Sequence, residues 1–247
     1  MIPRAAALLF VAGCGFQVSG HSSSDATDSP GGEKPIDAPA DVAIDAPIDA
    51  AVEAMIDAPM IDAPMIDAPM ASTTNHPVVA DTFLASDNQN SNFSTQTSAL
   101  ADGDIDRNAL FRFDLNAIPV GATVSAAELH IWTDFDPGGP CTLYPVLESW
   151  TEGSTTWQKR NTISNWLGAG ATPPSRGTVA IGTVTGATQF TEYVVPIDLA
   201  TVTSWVAVPA TNYGLVIVTS NSDGTRFATK ENSNAALHPY LRVTHTP

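Results

Sequence analysis

Residues 107–132 constrain what this chain can fold into more than any other stretch. They read Arg-Asn-Ala-Leu-Phe-Arg-Phe-Asp-Leu-Asn-Ala-Ile-Pro-Val-Gly-Ala-Thr-Val-Ser-Ala-Ala-Glu-Leu-His-Ile-Trp. Two alternating runs flank a turn at Pro119 and Gly121. Side chains alternate across a strand, so each run can bury one face and leave the other wet. Phe111, Phe113 and Leu115 share a face of the first run; Ala127, Leu129 and Ile131 share a face of the second. Both sets are expected in a core.

Similar runs recur through the C-terminal part. Residues 78–84, 98–101, 142–149, 178–184, 191–195, 215–218, 225–231 and 240–244 each suit a strand, and Gly, Pro, Asn and Asp separate them. The run 215–218 is apolar throughout and fits a central strand covered on both faces. Asp223-Gly224 fits a hairpin turn. Residues 199–206 fit one or two helical turns capped by Asp198. With nine or ten short strands and no long amphipathic helix, the expected fold is all-β. It is a jelly-roll-like antiparallel β-sandwich over 76–247.

The N-terminal third cannot build such a core. Ile-Asp-Ala-Pro recurs at 36–39, 44–47, 56–59, 61–64 and 66–69. Each Pro lacks a backbone donor and biases its predecessor away from helix. The few apolar atoms per repeat do not offset the entropy of ordering. Residues 15–75 carry eleven acids and one base, and like charges extend such a chain. Residues 14–75 are therefore expected to form a disordered, acidic, Pro/Asp-rich linker. The net charge of −16 excludes a phosphate-backbone partner, which needs clustered Lys and Arg. No nucleic acid is expected, and the domain is expected to be a monomer.

Residues 1–13 pair Arg4 with a short apolar run, as in an export signal. The run is shorter than the roughly 20 residues a membrane-spanning helix needs. Val11-Ala12-Gly13-Cys14 resembles the bacterial lipobox, which implies cleavage before Cys14 and its lipidation. An ordinary signal peptide is the alternative. The expected location is the outer membrane or cell surface, with the membrane touched through the lipid anchor alone. Cys141 would then be a lone thiol, more in keeping with a small buried hydrophobe than a nucleophile.

Several segments of the domain line up with a known family. They are Asp81-Thr-Phe83, Arg107, Leu110-Phe-Arg-Phe-Asp-Leu115, Ile118-Pro119, and 121–129. Trp150-Thr-Glu152 with Thr155-Thr-Trp157, Thr229-Lys-Glu231 and Pro239-Tyr-Leu241 follow. Their order resembles the DNRLRE-domain proteins, also called disaggregatase-related or family-96 carbohydrate-binding-module-like domains. The resemblance covers roughly 77–246. It departs at Thr229-Lys-Glu231, which usually reads Ser-Arg-Glu, and at 90–93, where an Asn-Tyr-Gly turn is usual. It implies a secreted β-sandwich that binds polysaccharide, in some members acidic polysaccharide such as alginate.

Candidate site residues come in four groups. Glu128, His130 and Trp132 share the outward face of the second run and could form a sugar platform, since Trp stacks on pyranose faces. The same face could instead be covered. Trp166 sits in a loop-like stretch, where binding residues concentrate, whereas Trp150 and Trp157 fit a structural role. Arg112, Arg226 and Lys230 could clamp a uronate carboxylate, or could form surface ion pairs. Asp102, Asp104 and Asp106 alternate near a turn and could contribute to a calcium site, although the spacing is not that of an EF-hand. No other cofactor is expected.

No catalytic motif appears, whether a nucleophile elbow, His-Glu-x-x-His, a phosphate loop or Cys-x-x-Cys. The expected function is non-catalytic polysaccharide binding by a cell-surface lipoprotein. An adhesion or structural domain and a polysaccharide-cleaving enzyme remain the alternatives. Limited proteolysis of the chain should release one compact fragment starting near residues 71–77; uniform resistance through 30–70 would contradict the linker.

Overall fold

A single strand, β1 (Ser72–Ala85), belongs to both sheets of the domain. In this computed structural model, which describes residues 69–134, 138–186 and 188–247, its first half pairs with β10 (Tyr240–Thr246). Its second half pairs with β3 (Arg107–Phe113). The register slips between Val78 and Ala80, and this irregularity lets the strand cross from one sheet to the other. Cys14, residues 1–13 read as an export signal, and the repeats up to residue 68 lie outside the described residues. Among the described residues no helix is long and apolar enough to cross a membrane.

The first sheet runs β1, β10, β4 (Thr123–Trp132), β7 (Glu192–Pro196). The second runs β1, β3, β8 (Leu215–Val218), β5 (Cys141–Pro145), β6 (Gly182–Val184). All these pairs are antiparallel. From β3 to β10 the chain alternates between the two sheets, apart from the β5–β6 pair and a strand that joins neither sheet, and this is jelly-roll wrapping. Asp198 N donates to Ile181 O at 2.8 Å, tying the far edges of the two sheets together. A small third sheet pairs β2 (Ser98–Ala101) with β9 (Thr225–Ala228). The expected all-β antiparallel sandwich is what forms.

Alternation decides the main core. Phe111, Phe113, Leu115, Ala127, Leu129 and Ile131 all face it, with Leu143, Leu215, Ile217, Leu241 and Val243. Gly121 turns the chain between β3 and β4 at φ +93, where a side chain would be strained. Helix α1 (Leu199–Ala207) adds Val202, Trp205 and Val206 to this core. Asp198 caps it as the sequence indicates, accepting from Thr201 N at 2.9 Å. Cys141 is fully buried here, and burial pushes its thiol pKa up.

A second core lies on the outer side of the β1–β3–β8–β5 sheet. Ala80, Leu84, Leu110, Val146 and Val216 point outward there. Trp150, Trp157, Trp166 and Ala171, from the long connection after β5, cover them. Central strand β8 is thus buried on both faces, as its unbroken apolar run predicts. The indoles are held by backbone acceptors: Trp150 Nε1 donates to Tyr213 O at 2.8 Å, and Trp166 Nε1 to Thr156 O at 3.0 Å. Gly170 closes the cover at φ +71, where a Cβ would strike the Trp157 ring.

Two expectations need correction. Asp223-Gly224 does not join a hairpin, because β8 pairs with β3 and β5 while β9 pairs with β2. Strand β9 also ends at Ala228, so Arg226 and Lys230 do not share a strand face.

Leu129→Ala should cost about 2–5 kcal/mol in urea unfolding, whereas Val194→Ala on the outer face should stay within about 0.5 kcal/mol. His76 gives a pH signature. It is buried, with Nδ1 at 2.9 Å from Asp114 O and Nε2 at 2.8 Å from Thr74 Oγ1. Burial, first of all, lowers its pKa below 6.5, with nearby His245 adding and Asp114 opposing. Below that value the unfolded chain takes up a proton that the folded one resists, so this stability is complete at neutral pH and is lost as pH falls through the folded pKa. Thermal unfolding from pH 7 to 5 should show a smaller loss in His76→Gln than in wild type.

Candidate functional site

The β1–β2 connection builds a groove at the end of the sandwich. Phe83 of β1 and Phe93 of the connection stack with ring centroids 4.2 Å apart, 16° from parallel. Together with Asp87, Gln96, Arg107 of β3 and Arg226 of β9 they line a concavity of about 330 Å³. Thr229 holds the loop in place, its Oγ1 donating to Gln96 O at 2.7 Å and its N to Thr97 O at 3.2 Å. Arg107 Nη2 donates to Asp87 Oδ2 at 2.9 Å, while its Nε is buried with no partner in the protein. Guanidinium and amide donors, a carboxylate acceptor and an aromatic pair together suit a sugar's hydroxyls and ring.

The outer face of the β1–β10–β4–β7 sheet is a second candidate. Cross-strand pairing sets His130 beside Tyr240 and Trp132 beside Glu192. His130 Nδ1 lies 2.5 Å from Glu192 Oε1, and Glu128 Oε2 lies 3.8 Å from its Nε2. Its ring stacks on Tyr240 at 4.4 Å, and Trp132 leans on Tyr240 at 6.0 Å and 45°. Arg242 sits over the same tyrosine at 5.8 Å and donates to Asn75 Oδ1 at 3.1 Å. Trp132, Tyr240, Arg242 and Glu128 stay partly exposed, while His130 is buried between its neighbours. The sequence groups Glu128, His130 and Trp132 correctly on one face. It gives no hint that Tyr240 and Arg242 complete that face, because they come from a strand more than 100 residues away.

The other candidates are used inside the fold. Trp166 is 5% exposed, so it offers no open face to a ligand. Arg112 lies 5.3 Å over Trp150 and donates to Trp150 O at 3.3 Å. Asp102 Oδ1 accepts from Asp104 N at 3.1 Å in the β2–β3 turn, and Asp102, Asp104 and Asp106 do not converge to share an ion. A larger cleft of about 590 Å³, near Trp157 and Tyr144, has Arg176 packed 3.8 Å over the tyrosine ring, which takes that face from a sugar.

Lys230 belongs to an unexpected cluster. Its Nζ lies 2.7 Å from Glu152 Oε1 and also pairs with Glu231. Glu152 Oε1 accepts from Asp81 N at 2.9 Å, and Asp81 Oδ2 accepts from Lys230 N at 2.8 Å. Burial, first of all, with the Glu231 carboxylate beside it, pushes the Asp81 carboxyl up to about 8. Burial works against the Lys230 charge, but Glu152 and Glu231 outweigh it and raise its pKa. None of the three acids lines the grooves above.

No curated protein matches the chain. The family model for carbohydrate-binding module family 96 matches residues 72–245, the span of both sheets from β1 to β10. An antiparallel sandwich with sugar-compatible surfaces and a match over most of its length place this chain in carbohydrate-binding module family 96.

Proposed function

We propose that the domain binds polysaccharide without cleaving it, through the groove between the β1–β2 connection and β9. The observation that carries this reading is the stacked Phe83–Phe93 pair set beside Arg107 and Arg226 in one groove. A pyranose ring edge can pack on half-exposed Phe93, while its hydroxyls and a uronate carboxylate take donors from the arginines and Gln96. The groove volume falls within the range of about 300–1,000 Å³ usual for small-ligand sites. The domain is acidic overall, so selection of an acidic sugar would rest on these short-range contacts rather than on long-range attraction.

The outer sheet face supports a second reading, because Trp132 and Tyr240 lie partly exposed together there. Affinity gel electrophoresis on uronan, neutral glucan and ligand-free gels separates the two. The uronan gel should retard the wild type. Arg226→Ala and Phe93→Ala should each weaken binding on the order of tenfold, with Trp132→Ala close to wild type. Retardation lost in Trp132→Ala and kept in Arg226→Ala would move the site to the sheet face. No retardation on any polysaccharide would retire both.

We also propose that the chain is exported and tethered through Cys14, with the repeat tract as spacer. The support is the apolar run ending in Val11-Ala-Gly-Cys14 and the Pro/Asp repeats that follow it. If fully extended as polyproline II, at ~3.1 Å per residue, the spacer would reach on the order of 100 Å or more. Acyl anchoring draws on roughly 0.8 kcal/mol per buried CH₂. Metabolic labelling with a palmitate analogue should mark the wild type and not Cys14→Ala; label retained in the variant would refute the anchor.

A further inference from the structure

Asp81, Glu152 and Glu231 come from β1, the connection after β5 and the segment after β9. One carboxylate oxygen of each lies within 4.8 Å of those of the other two. Such a cluster alone proves nothing, since acids gather on many surfaces. Two features set this one apart. Asp81 has no exposed surface, yet its Oδ1 has no hydrogen-bond partner. Glu231 Oε2 is likewise buried and unpartnered. Among the described residues no N–H or hydroxyl donor reaches either atom, and a buried oxygen left without a donor is destabilising.

Lys230 answers only part of the demand. Its ammonium reaches Glu152 and Glu231 and leaves both orphan oxygens unpaired. A divalent ion would give both oxygens a partner at once.

We propose that Asp81, Glu152 and Glu231 form a divalent-cation site of the calcium class. The donors are all oxygens, as a hard cation requires, and calcium accepts flexible geometry where magnesium demands a near-ideal octahedron. Water completes the six to eight ligands calcium takes. Lys230 is about one-quarter exposed, so its ammonium can swing to solvent as the ion enters. Lysine and ion therefore compete for Glu152 and Glu231. The bound ion would tie together three segments far apart in sequence. The site is separate from the sugar groove, and the test below does not depend on any glycan.

The test uses the full chain freed of metal with a chelator. Terbium is titrated as a calcium stand-in while tryptophan is excited, with Trp150 two residues from Glu152 as sensitiser. Calcium is then added as competitor up to about 10 mM, above the 10⁻⁴–10⁻³ M range of weak extracellular calcium modules. The wild type should give sensitised emission that calcium displaces, and its Tm should rise with calcium. Glu231→Gln should weaken both by roughly tenfold or more in apparent affinity. Lys230→Met should bind several-fold more tightly, because the competing ammonium is gone. Should Glu231→Gln fail to fold by near-ultraviolet circular dichroism, Lys230→Met decides, since it keeps all three carboxylates. A Lys230→Met chain that folds only with calcium also supports the site. Absent emission in the wild type, equal emission in folded Glu231→Gln, or unchanged or weaker binding by Lys230→Met would overturn it.

Discussion

The crossing of β1 between the two sheets is the constraint on which the rest of the domain depends. One strand of fourteen residues pairs with β10 at its start and β3 at its end, with a register slip between. Without that crossing the two sheets would share no strand. The same strand also supplies every candidate region. Asn75 reaches the outer face, Asp81 enters the acid cluster, and Phe83 and Ala85 line the groove. A strand rises about 3.3 Å per residue, so these positions fall at fixed separations along one rigid element.

The second core explains why the outer faces of the two sheets differ. Over β3, β8 and β5 the long connection lays down three tryptophans and satisfies two of their N–H groups with backbone carbonyls. That face becomes interior. Over β4 and β10 Trp132 and Tyr240 remain partly exposed and pack on one another. The indoles thus have different roles. Trp150 and Trp166 hold a cover in place, and Trp132 remains at the surface.

The segments that carry the family resemblance also converge. Asp81, Glu152 and the Lys230-Glu231 pair lie far apart along the chain yet meet through hydrogen bonds and ion pairs. Phe83, from the same segment as Asp81, stands with Arg107, from another, at the groove. Residues that look like isolated motif letters act as one bracket joining β1, β3, the tryptophan cover and the end of β9.

Much of this was readable in the sequence, wherever the deciding physics is local. Alternation placed Phe111, Phe113, Leu129 and Ile131 inside, because the period of two is a property of the strand itself. The unbroken run in β8 marked a strand covered twice, and Asp198 marked the helix cap through a contact three residues away. What the tertiary structure alone decided is which outward residues are then covered and which distant ones meet. Trp166 lies in an aperiodic loop, so no pattern says whether it faces water or a sheet. Phe93 finds Phe83, β9 leaves β8 to pair with β2, and Tyr240 joins His130 across the chain. Those outcomes come from packing between segments with no shared local signal, and only the folded arrangement brings their side chains within reach of one another.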